Sequence, residues 1–313
     1  MSDQIIFEGV SKFYGEVLGV NRISLSIPPG ITTLVGPNGS GKTTIMNLMT
    51  GLIQPSSGTI SVLGLTPADA TEFFTAVGYC AQFDFFPRGI TGWQFVLDSL
   101  MLYGMEKAMA VDMAVQAIDR VQLGQAAHRK VAGYSKGMRQ KIRLAQAIAH
   151  HPRVLVLDEP LNGLDPMARA ESIALFQELG RQGMHVVISS HILDEVDRIS
   201  DRVIMVTGGY LIAEGNIHQV RQEVHEKPMQ VLVRCDHPEL LASKMFAINH
   251  CVEARLHADG KGVFLRTKDI DEFHVILNGI AADGLIKIEA IAPADDDASA
   301  IYQYLIGSDG SAS

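Results

Sequence analysis

Cysteine and charge are both scarce in this chain of 313 residues. The three cysteines, Cys80, Cys235 and Cys251, are too few and too scattered for a disulfide framework, and no CxxC pair indicates a zinc site. We therefore expect a reducing, cytoplasmic compartment. Charged residues make up 19% of the chain, and 35 acidic against 26 basic residues give a net charge of −9 at pH 7. This balance disfavours a nucleic-acid binder, whose footprint is normally a basic patch.

Long uncharged runs are missing as well, although 47% of the residues are apolar. A membrane-spanning helix needs about 20 nearly uncharged apolar residues. The best candidate, residues 93–105, is shorter than that and contains Asp98. The first residues lack the basic region and the apolar core of a signal peptide. The sequence therefore predicts a chain that is not inserted in a membrane, and it leaves open whether the chain lies against one.

The apolar pattern divides the chain at about residues 219–228, where the periodicity fades and charge rises. Before this linker, short β-branched runs alternate with helical stretches, which predicts a mainly parallel sheet covered on both faces. After it, the order β-α-β-β-α-β-α, with a last helix over residues 298–306, predicts a small split β-α-β sandwich. The length is that of about two domains.

A glycine-rich loop lies between a β-branched strand at residues 31–35 and a helix at residues 42–49. It matches G-x-x-x-x-G-K-[ST] and reads Gly36, Pro37, Asn38, Gly39, Ser40, Gly41, Lys42, Thr43, Thr44. Glycines let successive backbone N–H groups converge on phosphate oxygens, and the following helix directs its positive end at the same anion. Lys42 supplies a charge for the β- and γ-phosphates, and the Thr43 hydroxyl is suited to Mg²⁺. The flanking elements favour a nucleotide site over a chance glycine-rich turn.

Two acids, Asp158 and Glu159, end the apolar run at residues 154–157. Such a pair on its own is more often a solvated loop or a helix N-cap. Beside a phosphate loop, however, the strand-end Asp holds Mg²⁺, often through water. Glu159 is then placed to accept a proton from the attacking water. The sequence therefore predicts a hydrolytic site.

Two weaker signals lie nearby. Ser135 and Gly137 open a helical run, where they either bind an anion through backbone N–H groups or form an ordinary N-cap. His191 lies between a strand at residues 185–189 and a predicted helix at residues 193–199. It is thus at the carboxyl end of a strand, where α/β proteins bind ligands, although a lone His there is usually structural.

Taken in order, these motifs resemble the ATP-binding subunit of ABC transporters, over about residues 5–220. The resemblance implies an α/β fold: a P-loop NTPase (ABC ATPase) core at residues 1–220, with a helical subdomain at about 83–150. Residues 228–307 resemble the small α+β, ferredoxin-like accessory domain of exporter-type members.

The resemblance also implies roles for single residues. Tyr14 would stack on adenine, and Gln82 would reach Mg²⁺ and sense the membrane partner. His191 would contact the γ-phosphate, and Asp165 would belong to the D-loop. The implied metal ligands, direct or through water, are Thr43, Gln82 and Asp158, and the implied catalytic residues are Lys42, Glu159 and His191.

The family signature corresponds to Ser135, Lys136, Gly137 and Met138. It departs from the commonest form, Leu-Ser-Gly-Gly-Gln, because Tyr134 replaces the Leu, Lys136 the first Gly and Met138 the Gln. The serine and the second glycine are retained, so binding to the opposite subunit's ATP is expected to persist.

The function implied by the resemblance is ATP hydrolysis, with Mg²⁺, by a homodimer or heterodimer that drives a separate transmembrane permease, in the direction of export. The chain would lie peripherally on the cytoplasmic side of the inner (plasma) membrane and bind no nucleic acid. The aromatic group Phe83, Phe85, Phe86 and Trp93 would either receive a permease helix or form a local core. The alternatives are a soluble ABC ATPase acting on ribosomes or nucleic acid, and a nucleotide-dependent interaction switch.

Overall fold

The computed structural model describes residues 3–82, 85–191, 196, 198–200, 202–216, 229–248, 251–257, 259–267 and 270–293. The chain divides into two compact units, Met1–Glu214 and Gly215–Ser313. The predicted linker at 219–228 and the predicted helix at 298–306 lie outside the described residues, as does most of the predicted helix at 193–199.

A six-stranded sheet forms the centre of the first unit, in the order β5-β6-β7-β3-β8-β9. Its strands are β3 (Gly30–Val35), β5 (Val77–Cys80), β6 (Val154–Leu157), β7 (His185–Ser190), β8 (Arg202–Thr207) and β9 (Tyr210–Asn216). The pairs β5/β6, β6/β7, β7/β3 and β3/β8 are parallel. All four residues of β6 are buried, as expected of a strand covered on both faces. The predicted parallel sheet is confirmed.

Helices and a second sheet surround this core. The second sheet is antiparallel and has the order β2-β1-β4, with β1 at Ile5–Tyr14, β2 at Val17–Ile27 and β4 at Ser57–Val62. The helices are α1 (Lys42–Met49), α2 (Ala70–Ala76), α3 (Gly92–Leu102), α4 (Lys107–Arg120), α5 (Lys136–Ile148) and α6 (Pro166–Arg181). Because β5 connects to β6 through α3, α4 and α5, these three helices form a block inserted between neighbouring strands.

The aromatic group at the start of this block divides between core and surface. Phe86 and Trp93 pack against the buried cluster of the block, and the Phe86 ring meets Phe95 edge-on at 4.9 Å. Phe85 is 83% exposed. Phe83 lies outside the described residues.

The second unit contains a four-stranded antiparallel sheet in the order β11-β12-β10-β13. Its elements follow one another as β10 (Met229–Cys235), α7 (Pro238–Ala247), β11 (Glu253–Leu256), β12 (Gly262–Thr267), α8 (Ile270–Ala282) and β13 (Ile288–Pro293). Buried residues of β10, α7 and β12, such as Val233, Leu241 and Leu265, pack with Phe273 of α8 in one core. The described elements thus have the connectivity β-α-β-β-α-β.

In the described part of the chain, none of the helices combines the length and the apolar character needed to cross a bilayer.

Candidate nucleotide site

The phosphate loop connects the carboxyl end of β3 to the amino end of α1. Gly41 precedes the helix with φ +110°, a conformation that favours glycine. A Cβ at Gly41 would lie 2.8 Å from the carbonyl oxygen of Gly19. The glycine is therefore required both by the turn and by the neighbouring strand, and it lets α1 begin directly at Lys42.

Lys42 is 6% exposed and folds back over its own loop. Its Nζ donates to the carbonyl oxygens of Gly36, at 2.5 Å, and Pro37, at 3.1 Å. Burial lowers the pKa of Lys42, whereas the nearby carboxylates of Glu159 and Asp158 act to raise it. The loop thus places a positively charged side chain at the start of α1, where the helix dipole also attracts an anion.

Asp158 follows β6 directly and reaches the same place. Thr43 Oγ1 donates to Asp158 Oδ2 at 3.0 Å, and Ser189 Oγ donates to Asp158 Oδ1 at 2.7 Å. Asp158 is 2% exposed, and its carboxylate is held by the two hydroxyls.

Glu159 has φ +48°, an unusual value for a residue that is not glycine. Its backbone N–H donates to Ser189 Oγ at 2.6 Å, and its Oε2 lies 2.9 Å from His191 Nδ1. The other oxygen, Oε1, is 3.9 Å from Lys42 Nζ and, within the described residues, is buried without a hydrogen-bond partner. The strained turn therefore brings Lys42, Glu159 and His191 together.

Ser189 is a site residue that the sequence did not reveal. Its hydroxyl contacts both acids, donating to Asp158 and accepting from the backbone of Glu159. The available signal was its position beside His191 at the end of a buried strand that pairs with β6.

Tyr14 and Gln82 lie at the edges of this site. A Cβ at Gly19 would lie 2.9 Å from Tyr14 Cε2 and 3.1 Å from Thr44 Cγ2, so the tyrosine ring is close to the start of α1. The ring is 46% exposed. Gln82 is exposed and follows β5, whose last residue, Cys80, accepts a hydrogen bond from Asp158 N at 3.0 Å.

The signature residues lie at the start of α5, apart from the phosphate loop. Ser135 caps the helix, with its Oγ accepting from Met138 N at 3.2 Å. The side chain of Lys136 lies against Gly163, where a Cβ would collide with it. Asp165 caps α6 in the same way, accepting from Met167 N and Ala168 N.

A cavity of about 780 Å³ adjoins the signature. It is lined by Ser135, Gly137, Met138, Asp165 and residues of α4, α5 and α6, including Lys141. Within the described residues, no member of the phosphate loop is among its lining residues. The chain therefore brings the predicted residues together in two groups, one at the phosphate loop and one at the signature.

The first group fits a nucleotide with a divalent cation. Thr43 and Asp158 supply oxygen atoms, which are the ligands that Mg²⁺ prefers. In the part of the chain that the structure describes, Ser40 Oγ is buried in the loop and makes no hydrogen bond. The loop thus keeps a polar atom available beside Lys42.

Comparison with known proteins identifies the family. The model of the family described as ABC transporter matches residues 20–162. The ABC transporter ATP-binding protein YxlF of Bacillus subtilis is 33% identical over 217 residues, which are 69% of this chain and 72% of that protein. The chain belongs to the ATP-binding proteins of ABC transporters. It is accordingly an energy-coupling ATPase of that family.

Other relatives agree with this assignment. The Nod factor export ATP-binding protein I of Rhizobium etli is 30% identical over 278 residues, 87% of this chain and 85% of that protein. Among solved structures, a dimeric post-hydrolysis state of the ATP-binding cassette MJ0796 with ADP and Pi has a TM-score of 0.63 at 22% identity, covering 68% of this chain and 98% of that one. That likeness supports the fold of the ABC ATPase.

Proposed function

We propose that this ABC ATPase hydrolyses ATP to drive a separate transmembrane permease, in the direction of export. The observation that carries the proposal is the convergence of Lys42, Asp158, Glu159 and His191 at the carboxyl ends of neighbouring strands. Residues 1–220 would form the ATPase domain and residues 228–307 the accessory domain.

Each site residue has a role that follows from its position. The loop Gly36–Thr44 would surround the phosphates with N–H groups, with Lys42 between the β- and γ-phosphates and Tyr14 against the adenine. Thr43, Asp158 and Gln82 would hold Mg²⁺, directly or through water. When bound, Mg²⁺ neutralises phosphate charge.

Hydrolysis then depends on Glu159. Its carboxylate takes a proton from a water molecule, the water oxygen forms a bond to the γ-phosphorus, and the bond to the β-phosphate oxygen breaks to release ADP. The 2.9 Å contact of His191 with Glu159 Oε2 positions the carboxylate and leaves the ring near the γ-phosphate.

The second group of residues acts on another subunit's nucleotide. Ser135, Gly137, Met138 and Asp165 line a cavity to which, within the described residues, the chain's own phosphate loop does not contribute. Two subunits placed head to tail would complete two sites, in a homodimer or in a heterodimer. The dimeric form of the cassette MJ0796 supports this arrangement.

Export and membrane association rest on the relatives. Relatives that match over more than four fifths of their length include Nod factor export ATP-binding protein I, and BcrA of Enterococcus faecalis is named for bacitracin transport. A peripheral place on the cytoplasmic side of the plasma membrane follows, since ATP is supplied there. Phe85, which is 83% exposed at the start of the inserted helices, is the residue we expect to contact the permease.

Fractionation of the native host tests the proposal. We expect the full-length chain in the membrane pellet when its permease is present and in the supernatant when the permease gene is deleted. Phe85→Ala should shift the chain to the supernatant, whereas Leu52→Ala, at another exposed apolar residue, should not. The proposal would be contradicted if the chain had the same distribution with and without the permease, or if it cosedimented with ribosomes instead.

A further inference from the structure

The turn between β8 and β9 lies directly behind the phosphate loop. The backbone N–H of Gly209 donates to the carbonyl oxygen of Ser40 at 2.9 Å, and its own carbonyl accepts from Asn21 N at 2.8 Å. One residue of this turn is therefore bonded to the phosphate loop on one side and to β2 on the other.

Two glycines, Gly209 and Gly41, allow this close contact. A Cβ at Gly209 would lie 3.0 Å from the carbonyl oxygen of Gly19 and 3.2 Å from Val20 Cα, and a Cβ at Gly41 would lie 3.5 Å from Gly209 Cα. Gly209 has φ +84°. The backbones of β2, the phosphate loop and the β8–β9 turn thus touch one another with no room for a side chain.

The hydrogen bond sets the direction of one loop amide. The C=O of Ser40 and the N–H of Gly41 belong to one planar trans peptide group, so the two point in opposite directions. Holding the carbonyl toward Gly209 therefore fixes the Gly41 N–H so that it points away from the β8–β9 turn. Ser40 is 2% exposed, so bulk water does not compete for its carbonyl.

We propose that Gly209 is a positioning residue for nucleotide binding, acting through the Ser40–Gly41 peptide. The inference rests on the proposed function, in which this loop binds the phosphates of ATP. Gly209 acts on affinity for ATP and leaves the chemistry at Glu159 unaltered.

Two neighbouring glycines provide a matched test. Gly208 also has positive φ, +52°, but a Cβ there would meet nothing within 4 Å. Gly208→Ala and Gly209→Ala therefore carry similar backbone cost, while only the second adds an atom against Gly19. We expect Gly209→Ala to raise the Kd for a fluorescent ATP analogue, and the KM for ATP, about tenfold. Its kcat should match that of Gly208→Ala, while its Tm without nucleotide should be lower, because only the Cβ at Gly209 presses on the backbone of β2.

Tyr210→Phe gives an independent measurement that adds no atoms. Asn21 Nδ2 donates to Tyr210 Oη at 3.0 Å, so this variant removes a hydrogen bond between β2 and the residue that follows Gly209. We expect a rise in Kd of about threefold. An unchanged Kd here, if Gly209→Ala does not fold, overturns the inference.

The remaining outcomes separate the two proposals. A wild-type chain that binds no nucleotide refutes the proposed function. A wild-type chain that binds ATP, together with a Gly209→Ala variant that binds equally well, refutes only the role of Gly209. That role is likewise refuted if Gly208→Ala weakens binding as much as Gly209→Ala does.

Discussion

At the scale of single residues, one hydroxyl contacts both acids of the site. Ser189 Oγ donates to Asp158 and accepts from the N–H of Glu159, whose φ of +48° has an intrinsic conformational cost of about 1–3 kcal/mol. A serine of a neighbouring strand thus stabilises a turn that the local sequence disfavours.

Removing that hydroxyl should slow hydrolysis. Ser189→Ala loses hydrogen bonds to a charged group and to a strained turn, for which about 1.5–3 kcal/mol is typical. We expect kcat to fall about tenfold or more, with a smaller change in KM, as measured by phosphate release. Glu159→Gln in the same assay gives the rate without the carboxylate.

Ser200→Ala is the matched control. This serine is also buried, and its Oγ lies 2.8 Å from Thr33 Oγ1 elsewhere in the unit. Its kcat should stay close to that of the wild type. A Ser189→Ala enzyme with the wild-type kcat would show that the turn holds without the hydroxyl.

The sequence predicted the positions of candidate site residues best where the motif is contiguous. The phosphate loop and the Asp158-Glu159 pair combine a fixed spacing with a strand before them, and both lie where predicted. Ser189 and Gly209 were not predicted, because the roles proposed for them depend on contacts with distant segments. Ser189 and Glu159, for example, are 30 residues apart in the sequence. No local pattern records such contacts.

At the scale of elements, the helical insertion joins the sheet through a buried histidine. His150 follows α5, stacks on Tyr103 after α3 with ring centroids 4.4 Å apart, and its Nε2 lies 3.2 Å from the carbonyl oxygen of Val77. Burial lowers the pKa of His150. Burial also lowers the pKa of His185, on β7.

These histidines predict weaker folding in mild acid. The unfolded chain binds their protons below a pKa of about 6.5, whereas the folded chain resists doing so, and the free energy of unfolding therefore falls as pH drops below that value. Urea unfolding, followed by the fluorescence of Trp93, should show this between pH 7.5 and 5.5, since Trp93 is the chain's single tryptophan and lies in α3.

One variant isolates the contribution of His150. His150→Gln should reduce the slope by up to about 1.4 kcal/mol per pH unit, the value for one proton. A slope in His150→Gln equal to that of the wild type would assign the acid sensitivity to other groups.

Elements marked by an apolar β-branched run or a helical periodicity were predicted, and several elements without such a pattern were not. The helix at residues 42–49 has the predicted bounds, but β4, α2, β5 and β9 were not anticipated. β5 has only four residues, and one of them is Gly78, where a Cβ would collide with the carbonyl oxygen of Ala147. Tertiary packing against α5 selects that glycine, whereas β propensity alone argues against a strand.

At the scale of the whole molecule, the proposed function assigns the signature and the phosphate loop of one chain to different nucleotides. If two copies complete each other's sites, two kinds of inactive subunit should complement. Lys42→Ala disables the phosphate loop, and Ser135→Arg disables the signature. In a mixed dimer, one site combines both defects and the other combines none.

An equal mixture of the two variants should therefore regain about a quarter of the wild-type ATPase rate, because half of the dimers are mixed and each has one intact site. Mixing Lys42→Ala with Glu159→Gln is the control, since both changes affect the same half of a site and no intact site can form. If neither mixture regains ATPase activity, the proposal of a shared site is contradicted. If both mixtures regain it, the assignment of the phosphate loop and the signature to different halves of a site is contradicted.

The divided site also has a consequence for genetics. If every working site draws on two copies, a dimer of a normal subunit and a subunit defective at Lys42 or Ser135 keeps one intact site. A cell that expresses both copies equally would thus be expected to retain about half of the normal ATPase rate, as would a cell whose second copy does not fold. Loss-of-function alleles of both kinds would therefore be recessive to the same degree.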